Sequence, residues 1–442
     1  MPAILCRKTE GGHAMLPEIR QSDYLYPVPK FALDRSDVKD FATELLGFHE
    51  NFADCFQRSE SRDNFYRYMA GQFSPLERKS IEPIAFAIEG GKVRAMQRFI
   101  SDAPWDDDKI IRNYRSLVAD DFGHPDAALI LDECGFVKKG DDSIGVARQY
   151  CGTVGKVENC QVGVFAAYTS KYGYSLVDKR LYIPEHWFSE EYSERREKCM
   201  LPDKIKFQTK PQLAAEMLRD LAKEKLLPFR YVLADSIYAN PEFIEAVESL
   251  VGVTYFLQVP EDTLCWLQNP VTVEKSYRYG GQDRSKRVLS DKAKKPISVK
   301  TLAKGINNFF WYRRKVSEGA KGPIEYEFTK RQVVLSQQGL PQKTVWLIIR
   351  RTMSKEPEYS YYISNALLST RLKTFVWLSG LRWSIEQCFE ETKTELGMDQ
   401  YEVRKFPGWN HHISTCMLAH YFLWHLKIRL GKKSTSYYAV AA

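Results

Sequence analysis

Two aspartates stand directly after apolar runs of the sequence, at positions where a carboxylate could hold a metal ion. Asp132 follows the run 127–131, and Asp235 follows the run 231–234. Each run is typical of a strand buried on both faces, and an open α/β sheet places its ligands at the carboxyl ends of such strands. A carboxylate there is costly unless a cation compensates it. Both aspartates are therefore predicted metal ligands.

A third acid, Glu386, lies inside a long helix predicted over 370–396. Arg382 stands four residues before Glu386 and Lys393 stands seven residues after it. These offsets place the three side chains on one face of a helix, beside an apolar stripe that can pack on a sheet. We therefore expect an acid on a helix to lie against the ends of two strands that carry acids.

Three carboxylates supply hard oxygen ligands, which favour Mg²⁺ or Mn²⁺. Two such ions can activate an oxygen nucleophile and relieve the charge on the leaving oxygen of a phosphodiester. The predicted site is thus a two-ion Mg²⁺ (or Mn²⁺) centre for phosphoryl transfer, held by Asp132, Asp235 and Glu386.

Two further acids lie next to these ligands. Strand alternation sends Glu133 to the face opposite Asp132, so we interpret it as a structural acid. Glu390 shares a helix face with Glu386, and it either pairs with Lys393 or assists the metal site. We favour the pair.

The elements that must position these residues begin with a helical segment, 36–120. Ser36-Asp37 predicts the start of one helix, and Ser74-Pro75-Leu76-Glu77, a capping box with Pro at the first helical position, predicts the start of another. The segment is predicted to form a small N-terminal domain. It either binds DNA or braces the next domain.

After residue 123 the hydrophobic period changes from helical to extended. The predicted strands are 127–131, 162–168, 175–183, 231–234 and 254–259, with helices starting at Lys210-Pro211 and Asn240-Pro241 between the later ones. Three strands followed by alternating helix and strand is the order of an RNase H-like sheet. The predicted fold class is α/β, with an RNase H-like mixed sheet, flanking helices, a helical N-terminal domain and a β-rich insertion.

The insertion is predicted over 263–368, where short runs at 309–312, 331–335, 344–349 and 359–363 are typical of strands. Sixteen Lys or Arg against six Asp or Glu lie between residues 271 and 331, whereas the whole chain of 442 residues carries a net charge of +8. Such a concentration suits a polyphosphate partner, although a solvated basic loop has the same composition.

Composition is that of a folded multidomain protein, with 44% hydrophobic and 27% charged residues. The apolar runs are too short to cross a bilayer and the N-terminus lacks a signal-peptide run, so we expect a cytoplasmic protein with no membrane partner. Nine cysteines without regular spacing are expected to be reduced. The predicted divisions are a tail 1–35, the helical domain 36–120, the core 121–262, the basic insertion 263–368, the closing core helices 369–432 and a tail 433–442.

Several residues outside the acids are candidate DNA contacts. Tyr238 either stacks on a base or fills the core, and Arg148 before a Gly-rich turn either touches DNA or forms the polar edge of a hairpin. Arg313 and Arg314 follow Trp311 and Tyr312, a mixture found on nucleic-acid surfaces, but an alternating strand explains it nearly as well. Arg382 and Lys393 are interpreted as phosphate contacts rather than surface salt-bridge partners.

Zinc is a weaker hypothesis for one helix near the C-terminus. His412, Cys416 and His420 recur at four-residue steps on one face, but no fourth ligand stands nearby in the sequence. A largely apolar helix more often buries such residues in a core, and we favour that interpretation.

The segment LRWSIEQCFEETKTEL resembles the signature of IS4-like insertion-sequence transposases, in which Arg, Glu and Lys recur at the spacing of Arg382, Glu386 and Lys393. The Tyr that usually precedes this Arg by three positions falls at Ser379, so the DNA contact of that Tyr does not carry over. The stretches ILDECGFVKKG, GVARQYCGTVGKVENCQVGVF, LADSIYAN and ELGMDQYEVR resemble the IS701 family. The resemblance spans roughly residues 36 to 430.

The resemblance implies a prokaryotic, nucleoid-associated DDE transposase whose triad is Asp132, Asp235 and Glu386. Its implied partners are the terminal inverted repeats, target DNA and a second copy of the chain in a synaptic homodimer. The alternatives are an RNase H-like nuclease or resolvase without strand transfer, and a domesticated derivative that binds DNA without cutting it.

Overall fold

The computed structural model describes residues 35–279, 282–319 and 322–439. The chain divides into two compact units. The first unit contains the described residues up to Phe229 together with those from Trp383 onward, and the second unit is Arg230–Arg382. In the sequence, the second unit therefore interrupts the first.

The first part of the first unit has helices and then strands, in the predicted order. Its elements are α1 (Arg35–Glu50), α2 (Ser59–Gln72), α3 (Ile81–Ala87), α4 (Val93–Ser101), α5 (Asp107–Phe122), β1 (Ala128–Val137), β2 (Ala147–Cys151), β3 (Lys156–Ser170), β4 (Gly173–Tyr182), α6 (Ser193–Lys198) and α7 (Lys210–Glu224), with short 3-10 helices at Ala53–Cys55, Glu185–Phe188 and Glu190–Tyr192. The start of α7 follows from its sequence, because Thr209 and Gln212 form a capping box.

The second unit begins with a parallel pair of strands and continues with antiparallel ones. Its elements are β5 (Tyr231–Ala234), α8 (Pro241–Glu248), β6 (Thr254–Val259), β7 (Leu264–Trp266), β8 (Thr272–Tyr279), β9 (Gln282–Leu289), β10 (Ile297–Ser298), α9 (Val299–Lys304), β11 (Tyr312–Gly319), β12 (Gly322–Gln337), β13 (Leu340–Arg351), β14 (Tyr359–Ser364) and α10 (Leu372–Leu381), with 3-10 helices at Ser236–Tyr238 and Asn308–Phe310. Two helices of the first unit complete the chain: α11 (Trp383–Leu396) and α12 (Phe406–Ala439).

The sheet of the first unit is antiparallel and is centred on the long strand β3. β1 pairs along one edge of β3, and β2 and β4 pair in succession along its other edge. In the second unit, β5 and β6 are parallel, and β14, β13 and β12 follow β6 in antiparallel order. The predicted α/β class, with a mixed sheet and flanking helices, is confirmed.

The N-terminal helices pack on α12 within the first unit. The rings of Phe48 and Phe422 lie 5.2 Å apart, and the ring of Trp105 stacks on that of His411 at 4.0 Å. α12 is buried along most of its described length because these helices surround it. These contacts attach the N-terminal helices to α12, and the choice between bracing and DNA binding stays open.

Two sequence-based boundaries are corrected by the structure. The long helix predicted over 370–396 is two helices, α10 and α11, that meet at Arg382. Each half buries its apolar side in its own unit: Phe375 of α10 packs on Phe256 of β6, whereas Phe389 of α11 packs on Phe165 of β3.

The chain ends also differ from the prediction. α12 continues to Ala439, so much of the predicted tail 433–442 is helical, and the predicted tail 1–35 lies almost wholly outside the described residues. Within the described ranges, no helix has both the length and the apolar character needed to cross a membrane.

Candidate active site

Asp132 lies in the middle of β1. The sequence had predicted that it stands at the end of this strand. β1 continues to Val137 because Cys134 and Phe136 are buried after the two acids. Asp132 itself is half-buried, and its Oδ1 accepts a hydrogen bond of 2.8 Å from the backbone N–H of Glu133. In the middle of a paired strand, the backbone is fixed by hydrogen bonds before and after the residue. A metal ligand needs such a fixed position.

Glu386 lies on the exposed part of α11. The side of this helix that faces the core carries Ile385, Cys388, Thr392 and Leu396, which are buried at three- and four-residue spacing. Glu386 is next to this stripe and is exposed, so its carboxylate can meet a ligand from solvent.

The structure brings Asp132 and Glu386 to the same face of the first unit's sheet. Asp132 is the register partner of Phe165 on β3, so the two side chains project to one face. The ring of Phe165 contacts that of Phe389 on α11, with centroids 5.3 Å apart, and Phe389 is one helical turn after Glu386. α11 therefore covers the face on which Asp132 stands.

The direction of α11 places Glu386 along β1. At the start of the helix, the hydroxyls of Ser384 and Thr169 are 3.4 Å apart, and Thr169 is the register partner of Ala128 at the start of β1. α11 thus runs in the same direction as β1. Glu386 lies between the level of Ala128 and the level of Asp132.

Lys393 continues this line toward the far end of β1. Its Nζ donates to Thr153 Oγ1 at 2.9 Å and to the carbonyl oxygen of Gly135 at 3.4 Å. These two contacts turn the ammonium group toward β1 and the turn after β2, and the preferred Glu390–Lys393 pair stays a prediction. Lys393 is only half-buried, so it remains accessible to an anion.

Glu133 and Cys134 have separate, structural surroundings. Glu133 accepts from Lys210 of α7 at 3.0 Å, on the face opposite Asp132, in agreement with its interpretation as a structural acid. Burial raises the pKa of Cys134 to about 11. This thiol is therefore neutral near pH 7 and offers no thiolate to compete with the oxygen ligands.

Asp235 belongs to the second unit, where it directly follows β5. It is half-buried and caps a 3-10 helix, since its carboxylate accepts from the backbone N–H of Ser236. The position after a parallel strand is as predicted. Tyr238, three residues later, is fully buried and packs on Phe243 with ring centroids 6.0 Å apart, which favours the core-filling interpretation.

The donor atoms of the three acids are all carboxylate oxygens, a set that suits Mg²⁺ or Mn²⁺ in hardness and charge. Asp132 and Glu386 meet this requirement on one sheet face of the first unit, and Asp235 meets it at the strand end of the second. Among the residues that the structure describes, no three His, Cys, Asp or Glu side chains are grouped closely enough to hold a metal ion.

The remaining candidate DNA contacts differ in how far their charge is compensated. Arg148 is exposed on β2, where Tyr150 on the same face is 60% exposed. Arg313 Nε donates to Glu325 at 2.9 Å, so much of its charge is already paired. The guanidinium of Arg314 lies 5.6 Å from the ring of Tyr312, and Arg382 is the residue between α10 and α11.

The histidines and cysteine proposed as zinc ligands each have other partners. Tyr68 OH lies 2.8 Å from Nδ1 of the buried His412, Gln72 Nε2 lies 3.0 Å from Cys416 Sγ, and His420 Nε2 lies 2.7 Å from Glu391. These contacts tie α12 to its neighbours and agree with the core interpretation.

Sequence reasoning missed the arrangement of cations on the strands β8 and β9. The described ends of these strands flank Gly280-Gly281, and Lys275, Tyr277 and Tyr279 alternate at two-residue spacing before that pair. A Gly-Gly pair between alternating runs is a hairpin signal, which could have located the element.

Comparison with known proteins gives the family. A family model described as "DDE superfamily endonuclease" matches residues 51–323. The "Probable transposase for insertion sequence element IS701" of Microchaete diplosiphon is 25% identical over 350 residues, which are 77% of each chain. A cryo-EM structure of the piggyBac transposase synaptic complex with hairpin DNA is also similar, at 9% sequence identity. The match covers 90% of this chain and 67% of the piggyBac chain, and its TM-score of 0.33 supports no inference. The chain belongs to the DDE superfamily of endonucleases, and the resemblance to IS701-like transposases is confirmed.

Proposed function

We propose that this protein is a DNA transposase that cuts at the ends of an insertion sequence and joins the freed 3′-OH ends to target DNA. The observation that carries the proposal is the placement of Asp132 and Glu386 on one face of a sheet, in a chain of the DDE endonuclease superfamily. The transposase named among its relatives supports the choice of transposition over simple hydrolysis.

Asp132, Asp235 and Glu386 would hold two Mg²⁺ or Mn²⁺ ions, as the resemblance implies. Bound divalent ions supply an activated oxygen nucleophile and charge relief at the leaving oxygen. The protein's own part is to fix the carboxylates on rigid elements and to orient the DNA strand against them.

The bonds broken and formed balance in two steps. Water attacks a phosphodiester at the element end, the P–O3′ bond breaks, and the products are a 3′-OH and a 5′-phosphate. The 3′-OH then attacks a phosphodiester of target DNA, forming a new P–O bond while the target's own 3′-oxygen leaves. The second step exchanges one phosphodiester for another and needs no external energy source.

The proposed DNA contacts form two groups. One group is the cations beside Glu386, and the other is the basic segment 263–368. Lys393 and Arg382 flank Glu386 in the sequence and are proposed to hold phosphates beside the cleaved bond. Lys393 is suited to this because Thr153 orients its ammonium group. Arg148, Arg313 and Arg314 are proposed as further contacts, and the basic segment is proposed to grip the terminal inverted repeats.

Both ends of an element must be cut and joined together, so we propose that two copies of the chain act in one synaptic assembly. The helices of residues 36–120 would brace the core of each copy. The expected place of action is the nucleoid of a prokaryotic cell, where the DNA is.

The test is incubation of purified protein with DNA that carries the element's ends, in Mg²⁺, comparing the wild type with Asp235→Ala. We expect wild type to give both cleaved ends and strand-transfer products, and the variant to bind the ends without cutting them. Cleavage without strand transfer would instead indicate a nuclease or resolvase. Binding without cleavage by the wild type would indicate a domesticated DNA-binding derivative.

A further inference from the structure

The strands β8 and β9 form a separate two-stranded sheet, which we call the ribbon (Thr272–Tyr279 with Gln282–Leu289). Nearly all of its residues are exposed, on both faces. An isolated two-stranded hairpin is at best marginally stable in water. We therefore expect the ribbon to be stabilised by contacts between its own side chains, by a binding partner on one of its faces, or by both.

One face of the ribbon is electrically balanced by cross-strand pairs. Glu274 is the register partner of Arg287, and Arg278 is the register partner of Asp283, with an N–O distance of 4.0 Å in the second pair. The hydroxyl of Ser285 also donates to Glu274 at 2.8 Å. Two acids and two bases thus neutralise this face from within.

The other face, the cationic face, carries positive charge without acids. Lys275 and Lys286 are directly opposite each other, and Arg284 is opposite Tyr277. Tyr279, at the end of β8, is 68% exposed, with the guanidinium of Arg284 5.4 Å from its ring. No acidic side chain belongs to this face in the described strands.

Directly opposed like charges destabilise an antiparallel pair. The Lys275–Lys286 pair therefore costs stability in the free protein, and an anion lying across the face would remove that cost. A second copy of the same face would add three more cations and is excluded as the occupant on charge.

We infer that the cationic face of the ribbon binds the phosphate backbone of double-stranded DNA. The inference rests on the proposed function and assigns part of its DNA contact to one element. Eight residues of strand extend roughly 27 Å, and the major groove of B-DNA admits a two-stranded ribbon. Lysines supply point charges to phosphates, while the exposed tyrosine rings can lie against sugars or unstacked bases.

The same segment provides a contrast that sharpens the inference. Arg313 on β11 is paired with Glu325, so an anion must compete with a carboxylate for it. The cations of the ribbon's cationic face have no such competitor on their own face. They should therefore contribute more to DNA affinity than Arg313 does.

The test uses the full chain and a short fluorescein-labelled DNA duplex of arbitrary sequence, because phosphate contacts do not depend on sequence. The ribbon variant combines Lys275→Gln, Arg284→Gln and Lys286→Gln. The matched control combines Lys204→Gln, Lys223→Gln and Lys225→Gln, three exposed cations of the first unit to which no DNA contact is assigned. Both variants lose the same charge, so nonspecific electrostatics affects them equally.

We expect the ribbon variant to bind the duplex on the order of a hundredfold more weakly at about 0.1 M salt, with the slope of log K against log salt reduced by about 2.7. The control should retain most of the affinity and the wild-type slope. Equal losses in the two variants, or an unchanged slope in the ribbon variant, would overturn the inference.

Thermal unfolding separates this role from a structural one. Replacing Lys275 and Lys286 removes a like-charge pair, so the ribbon variant should melt at the wild-type temperature or above it, whereas a lower melting temperature would assign its binding defect to misfolding. The variant Lys275→Arg with Lys286→Arg keeps the charge and should keep the binding; loss of binding in it would overturn the inference.

The experiments distinguish failure of the ribbon inference from failure of the proposed function. If the wild type cuts and joins DNA but the ribbon variant binds the duplex as tightly as wild type, only the ribbon inference fails. If the wild type binds the duplex through the ribbon but never cuts DNA in Mg²⁺, the proposed function fails and the ribbon inference stands.

Discussion

Replacing Glu386 by Gln is expected to slow DNA cleavage severely without affecting the fold. α11 offers a matched control, because Glu390 is one turn away on the same helix and is also exposed. Both substitutions keep the size of the side chain and remove one negative charge. Of these two glutamates, only Glu386 is a ligand in the proposed site, so the two variants should behave differently.

The magnitude follows from exposure and from the role of the carboxylate. An exposed Glu→Gln change alters the free energy of unfolding by no more than about 0.5 kcal/mol. A ligand that helps place a catalytic ion contributes several kcal/mol to transition-state stabilisation. Taking about 4 kcal/mol, the cleavage rate should fall roughly a thousandfold for Glu386→Gln. For Glu390→Gln we expect less than about a tenfold change.

The assay is the single-turnover rate of nicking at an element end in Mg²⁺, with the urea midpoint measured on the same preparations. Equal rate losses in Glu386→Gln and Glu390→Gln would refute the assignment of the third ligand. So would a loss of stability in Glu386→Gln large enough to account for the lost rate.

Three further predictions concern the metal and the buried ionisable groups. Chelation of divalent ions should stop cleavage, and Mn²⁺ should restore it, as measured by the nicking assay; cleavage at full rate in the chelator would contradict a metal-dependent site. Burial lowers the pKa of His412 to about 4 from its usual 6.5, so its contribution to stability is complete above about pH 6.5 and is lost as pH falls toward 4. Between pH 7 and pH 5, the free energy of unfolding should therefore decrease in wild type. This decrease should be about 2 kcal/mol larger than the decrease in His412→Gln. Arg115 forms a 3.0 Å ion pair with the buried Asp178, and Arg115→Leu should cost about 3 kcal/mol in urea unfolding, because it leaves a buried carboxylate less compensated.

The pH dependence of the Asp178 pair has the sign usual for a paired acid. Burial alone would raise the pKa of Asp178, but Arg180 and Arg115 hold it below its usual value. Its contribution to stability is therefore present above the unfolded-state pKa, near 4, and is lost as pH falls through the lower folded value. The Arg115→Leu variant should show a weaker loss of stability in acid than wild type.

The sequence predicted elements well where local chemistry alone decides them. The strands β5 and β6 were predicted with the bounds that they have, because each is a short apolar run between turn residues. The start of α8 was also correct, since Asn240 caps the helix by accepting from the N–H of Phe243 at 2.9 Å. Such signals lie within a few residues of one another and need no tertiary context.

Prediction of helix starts failed where a capping residue serves a neighbouring element. Ser74 was expected to cap a helix that starts at Pro75, but its hydroxyl donates to the carbonyl oxygen of Gly71 at 2.5 Å and closes α2 instead. The helix that follows begins at Ile81. Polar residues can cap either end of a helix, so the pattern alone does not decide which.

The two acids of the first unit were identifiable by residue type and family motif, but the geometry that unites them depends on residues without chemistry of their own. Asp132 and Glu386 share a face because Phe165 and Phe389 pack together, a contact that links β3 to α11 across more than two hundred residues of sequence. No periodicity in either segment specifies this pairing.

The position of Glu386 depends further on what holds α11 in place. Glu391, on the same helix, accepts from Tyr174 OH of β4 at 2.9 Å and lies 2.7 Å from His420 of α12. α12 is in turn tied to α2 through the Tyr68–His412 contact. The N-terminal helices therefore act on the candidate site through α12 and α11. A catalytic carboxylate on an exposed helix surface keeps a fixed position only if the buried side of that helix is fixed, and in the first unit these contacts do so.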